Sequence, residues 1–104
     1  MGISVQGKLP IPIVVNGVPM QEVTMTALTV KESLTAMSAT KEGQFLQVNE
    51  LCAMTSWTHN GQGATPLTYV QLEGSAKQNM NYLNVLRAEL EAKERDAAVA
   101  ESQA

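Results

Sequence analysis

Asn16-Gly17 is the feature that most constrains what this chain can fold into. A two-residue type I′ turn needs positive φ at both central positions, and Asn-Gly meets that need at the lowest steric cost. Leu9, Ile11, Ile13 and Val15 alternate on the N-terminal side of the pair, and Val18 and Met20 alternate on the other. A β-hairpin is therefore expected at the N-terminus. The alternation changes phase around Gln21-Glu22 before resuming at Val23 and Met25, which predicts a bulge or an end of pairing there. Pro10, Pro12 and Pro19 lack an N–H donor, so they belong on an unpaired edge or at strand ends. Such prolines also blunt an edge against strand-to-strand aggregation.

After the hairpin the signals become helical. Thr29-Val30-Lys31-Glu32 is a capping box, and Leu34 and Met37 then share one face before Gly43 ends or bends the helix. A second helix is expected from Phe45, with Phe45, Val48, Cys52 and Thr55 on one face, Leu46, Leu51 and Met54 widening it, and Trp57 closing it. Thr58 to Pro66, with Asn60-Gly61-Gln62-Gly63 at its centre, reads as a loop or hairpin tip. Thr68-Tyr69-Val70-Gln71 is another capping box, and Ser75-Ala76-Lys77-Gln78 a third that opens a long last helix.

On that helix Met80, Leu83, Leu86 and Leu90 recur at spacings of three and four, with Ala76 and Val85 alongside. Asn79, Asn81 and Asn84 are poor helix formers placed on the other side, so tertiary contacts must supply stability. Past Leu90 the stripe shrinks to alanines while charge rises. The stripe reads either as core packing or as a partner surface, and its extension past the body makes Met80, Leu83, Leu86 and Leu90 the candidate partner-binding residues. The expected architecture is α+β: an N-terminal hairpin packed on three to four helices, the last one long. Residues 1–92 form a single domain in this reading, and 93–104 a frayed or disordered Ala- and Glu-rich tail.

Composition limits the function classes. The 104 residues include four aromatic rings, Phe45, Trp57, Tyr69 and Tyr82, so the core is thin and association with a second copy is one way to complete it. Seven cations are scattered against ten acids, net −3. Without a basic stripe a nucleic-acid partner is not expected. The single Cys52 fits a reducing cytosol. No apolar run approaches the length of a membrane span and no export signal opens the chain.

Catalytic chemistry finds no constellation here, and the chain does not read as an enzyme. Cys52 lies on an apolar helix face, which raises a thiol pKa, and it lacks the orienting third group that a Cys–His pair with His59 needs. The two supply half the ligands of a structural zinc site. Asn60-Gly61-Gln62-Gly63 lacks the Lys-Ser/Thr of a phosphate loop. No cofactor is expected.

In order, these pieces resemble the small tail assembly chaperones of contractile-tailed bacteriophages. The likeness starts with a short apolar strand and turn, Ile11 to Gly17. It continues through Val23-Thr24-Met25 and Leu28-Thr29-Val30-Lys31-Glu32-Ser33-Leu34, then Leu51-Cys52-Ala53-Met54-Thr55-Ser56-Trp57. Pro66-Leu67-Thr68-Tyr69-Val70-Gln71-Leu72 and the leucine-bearing helix from Met80 to Leu90 complete it. It spans roughly residues 9 to 92 and departs at Thr26-Ala27, where many relatives carry an arginine. The resemblance implies a protein that binds the tape measure protein, keeps it soluble and helps recruit tail tube subunits. It also implies action in the host cytoplasm and absence from the mature virion. Met20, Met25, Met37, Met54 and Met80 suit adaptable apolar contacts. A small structural tail or baseplate subunit retained in the virion is the competing expectation.

Overall fold

Asn16 (φ 51°) and Gly17 (φ 80°) both adopt the left-handed backbone, and Val15 pairs with Val18 across them, so the hairpin turn forms as its residues dictate. The computed structural model of the chain describes residues 3–59 and 62–103. Two strands flank the turn, β1 (Ser4–Val15) and β2 (Val18–Thr26), followed by helices α1 (Val30–Ser38) and α2 (Leu46–Met54). A second hairpin, β3 (Thr55–His59) and β4 (Gln62–Pro66), leads to α3 (Tyr69–Glu73) and the long α4 (Lys77–Gln103). The strands form one antiparallel sheet in the order β1-β2-β3-β4, and the fold is α+β.

The phase change at Gln21-Glu22 corresponds to a wide bulge, but the extra residues lie on β1. Lys8 pairs with Glu22 and Ile13 with Met20, so Leu9-Pro10-Ile11-Pro12 stand opposite Gln21 alone. The Gln21 side-chain amide donates to Leu9 O at 3.0 Å and closes the gap from the β2 side. Pro10 and Pro12 thus sit in a bulge of an edge strand. Pro19 sits on a stretch of β2 before its pairing with β3, which covers Val23 to Met25. Neither placement asks for the missing N–H.

Two capping boxes form as expected. Thr29 N–H donates to Glu32 at 2.9 Å and Glu32 N–H to the Thr29 hydroxyl at 3.2 Å; Thr68 and Gln71 repeat the pattern at 3.1 and 3.2 Å. The third does not: the Ser75 hydroxyl donates back to Leu72 O at 2.8 Å. The first helix ends at Ser38, earlier than Gly43, which takes φ 86° in the loop beyond.

The second helix is also shorter than its periodicity suggests. It stops at Met54, and Thr55, Ser56 and Trp57 pair with Met25, Thr24 and Val23 of β2. Thr55 and Trp57 therefore belong to a strand, because the ladder bonds offered by β2 outweigh a marginal helical period among β-branched and aromatic residues. The stretch from Thr58 to Pro66, expected to be a loop or hairpin tip, is the end of a hairpin between β3 and β4; residues 60–61 at its tip lie outside the described residues. At the far end α4 runs through Gln103. Ala, Glu, Lys and Arg are strong helix formers. The Lys93 ammonium also ties this part to the body, donating to Ser4 O at 2.8 Å.

The core lies between one face of the sheet and the helices. Leu9, Ile13, Val23, Met25 and Trp57 from the sheet meet Leu51, Cys52 and Met54 of α2, Leu72 of α3 and Leu83, Leu86 and Leu90 of α4. Trp57 is wholly buried, and its indole N–H donates to the Gln71 side-chain oxygen at 3.1 Å. That oxygen also accepts from Thr68 N–H, so the cap of α3 and the largest core side chain share one acceptor. The opposite face, with Gln6, Lys8, Glu22, Thr24 and Thr58, is polar and open, as an antiparallel sheet permits.

Candidate partner-binding surface

Among the candidate residues, Leu83, Leu86 and Leu90 are 0%, 2% and 0% exposed. They pack against the sheet, so this part of the stripe is core rather than an accessible partner face. The physical reason is the thinness of the rest of the core: a sheet with one apolar face needs a covering helix, and α4 is the only one long enough among the described residues. Met80 differs. It is half-buried and lines a cleft with Phe45, Val48, Tyr69, Leu72 and Ala76, about 340 Å³ in volume, with Glu73 and Lys77 at its rim.

Phe45, expected to pack on the apolar face of its helix, is instead the residue before the first turn of α2 and is 72% exposed. Its backbone N–H donates to the Tyr69 hydroxyl at 3.0 Å, which fixes its position between α2 and α3. Val70, on the outer side of α3, is exposed as well.

The larger departure is α1. No residue of this nine-residue helix is buried. Val30 and Leu34 are 78% and 58% exposed, and Met37, on the same side at the next turn, is half-buried. These three line a groove of about 230 Å³ between α1 and α4, floored by Leu28 and Met54. Its α4 wall carries Arg87, Glu91 and Glu94. Glu50 of α2 bridges the two sides: it accepts from the Ser33 hydroxyl and pairs with Arg87 at 2.7 Å. A helix this short is marginal alone in water. Its capping box, with the Glu32 carboxyl held below its ordinary pKa by the Thr29 backbone N–H, and the Ser33–Glu50 bond hold it in place.

Periodicity pointed to Leu34 and Met37 as a face but could not tell that the described residues leave Leu34 exposed and Met37 half-buried. Val30 gave a weaker signal, being a single apolar residue at the start of its helix, while the periodicity assigned Phe45 to the face of α2.

Among the described residues, neither cleft is lined by Cys or His. The Cys52 thiol is buried, and burial pushes its pKa up from 9.0 to about 11, which keeps it protonated and unreactive. Among the described residues no three His, Cys, Asp or Glu side chains are grouped as metal ligands would be. No helix among them is long and apolar enough to cross a membrane. Comparison with protein-family models, with curated proteins and with solved structures finds no match.

Proposed function

We propose that the chain is a phage tail assembly chaperone that binds the tape measure protein, keeps it soluble and helps recruit tail tube subunits. In this reading it works in the host cytoplasm and leaves before the virion matures. The observation that carries it is α1: a helix held in place by its caps, with apolar side chains that the body leaves uncovered. The apolar cleft around Phe45 and Met80 adds a second uncovered patch. Exposed apolar surface next to polar rims marks interaction sites. Together with the run of motifs from Ile11 to Leu90, this supports a protein whose work is to hold apolar helices of another chain.

The test is co-expression with a phage tape measure protein, the client this reading implies. The soluble fraction of that protein should rise when this chain is present, and the two should co-purify. Mass spectrometry of purified particles should then lack the chain. Its presence there at the level of a tail component would overturn the reading in favour of a structural tail or baseplate subunit.

A further inference from the structure

We infer that the groove between α1 and α4 takes an amphipathic helix that carries basic residues beside its apolar face; this rests on the reading that the chain binds an apolar helical partner. The apolar side of the groove is Val30, Leu34 and Met37, at steps of four and three on α1. That stripe is about 10 Å long at 1.5 Å per residue, enough to take two turns of another helix.

Charge selects the occupant. Four ionisable groups line the groove: Glu50, Arg87, Glu91 and Glu94. Glu50 and Arg87 neutralise each other. Glu91 and Glu94, one turn apart on α4, have no ion-pair partner among the described residues and leave this wall negative. A helix with leucine-like residues toward α1 and Lys or Arg toward α4 satisfies both walls at once. The Phe45–Met80 cleft shows no such preference, since Glu73 and Lys77 stand together at its rim. A second copy docked about a twofold axis would bring its own Glu91 and Glu94 to the same patch, like charge against like.

Two synthetic peptides of about 15–20 residues, long enough to populate a helix in water, provide the probes. Both have the same leucine spacing; one carries Lys at the flanking positions and the other Glu. Each is titrated into isotope-labelled full-length protein and followed by amide chemical shifts. The Lys peptide should bind saturably, shift Val30, Leu34, Met37, Glu91 and Glu94, and bind about tenfold or more tighter than the Glu peptide at low salt. Raising salt toward 1 M should shrink that ratio. Glu91→Lys with Glu94→Lys should reverse the preference. Leu34→Ser should weaken the Lys peptide by about tenfold, as loss of an apolar anchor does. These positions are exposed, so the variants keep the fold.

The inference is wrong if the Lys peptide fails to bind, if both peptides bind alike, or if the shifts fall on Phe45, Val48 and Met80. Self-association abolished by Leu34→Ser would give the groove to a second copy and overturn it too. The co-expression assay separates the two levels. Charge-reversed and Leu34→Ser variants that still solubilise the client as the wild type does would remove the groove and leave the chaperone reading standing. A wild-type chain without effect on the client removes that reading, and the peptide titration then decides the groove by itself.

Discussion

The side-chain amide of Asn79 holds both backbone groups of Ile11: the Ile11 N–H donates to Asn79 Oδ1 at 3.1 Å, and Asn79 Nδ2 donates to Ile11 O at 2.9 Å. This is what a neighbouring strand would do, yet the partner is a helix. Further along, the Tyr82 hydroxyl accepts from Lys8 N–H at 3.1 Å, and Lys93 reaches Ser4 O. The spacings match. Fourteen helical residues from 79 to 93 rise about 21 Å, and seven strand residues from 11 to 4 span about 23 Å before the bulge shortens them. Helix α4 therefore covers the edge strand both by packing and by supplying hydrogen-bond partners that the sheet lacks. Covering an edge in this way protects it from pairing with another chain.

Asn79→Leu should test that role. Leucine fits a helix better than asparagine, so local propensity predicts a gain. Loss of both bonds at a fully buried position should instead lower stability by about 1–3 kcal/mol in urea unfolding. Faster amide exchange at Ile11 is expected alongside.

Gly7 lies beneath the same helix. A Cβ there would run into the Tyr82 hydroxyl and come within 3.1 Å of Tyr82 Cζ and 3.2 Å of Leu86 Cδ2. Gly7→Ala should cost about 1–3 kcal/mol through overpacking and loss of the Lys8–Tyr82 bond. Tyr82→Phe removes the nearest atom, so the double variant should be less damaged than the two single losses added together. Such non-additivity is read from a double-mutant cycle.

The leucines of α4 and the apolar residues of α1 should respond in opposite ways to charge. Leu86→Glu and Leu90→Glu each put a carboxylate into the core, a cost of several kcal/mol that approaches the whole stability of a small domain, roughly 5–15 kcal/mol. Both variants are expected to unfold by circular dichroism. Leu34→Glu should change stability by no more than about 0.5 kcal/mol, because the side chain is already in water.

Thr55 is 2% exposed, and its hydroxyl is the buried side-chain oxygen without a hydrogen-bond partner among the described residues. Thr55→Val keeps the shape and suits a strand. Removing an unpaired buried hydroxyl should raise stability by about 1 kcal/mol, visible as a higher denaturation midpoint.

For Cys52, the folded thiol ionises near pH 11 and the unfolded one near its ordinary value of 9.0. The raised folded value means its contribution is fully present below pH 9 and is lost as pH rises from 9 toward 11, since the unfolded chain then ionises first. Stability measured across that window should fall, and the slope should flatten in Cys52→Ala. Native-state labelling by a thiol reagent at neutral pH should be slow.

What the amino-acid sequence determined by itself is local. Asn16-Gly17 makes its turn, and Thr29 with Glu32 and Thr68 with Gln71 make their caps, because each rests on groups at most three residues apart. The α4 stripe was equally legible as a stripe, and so was the break in alternation opposite the bulge. Tertiary structure decided what those patterns meet. Trp57 leaves the helical period because β2 offers it a ladder partner 34 residues away. Asn79 lies on the covered side of α4, since Ile11 presents two unpaired backbone groups there. The same competition settled the candidate surface. One apolar stripe can cover the sheet: Leu83, Leu86 and Leu90 occupy that place, and Val30 and Leu34, equally apolar and equally periodic, are left facing solvent. Periodicity records that a face is apolar; which face is covered depends on how much sheet there is to bury and which helix is long enough to reach across it.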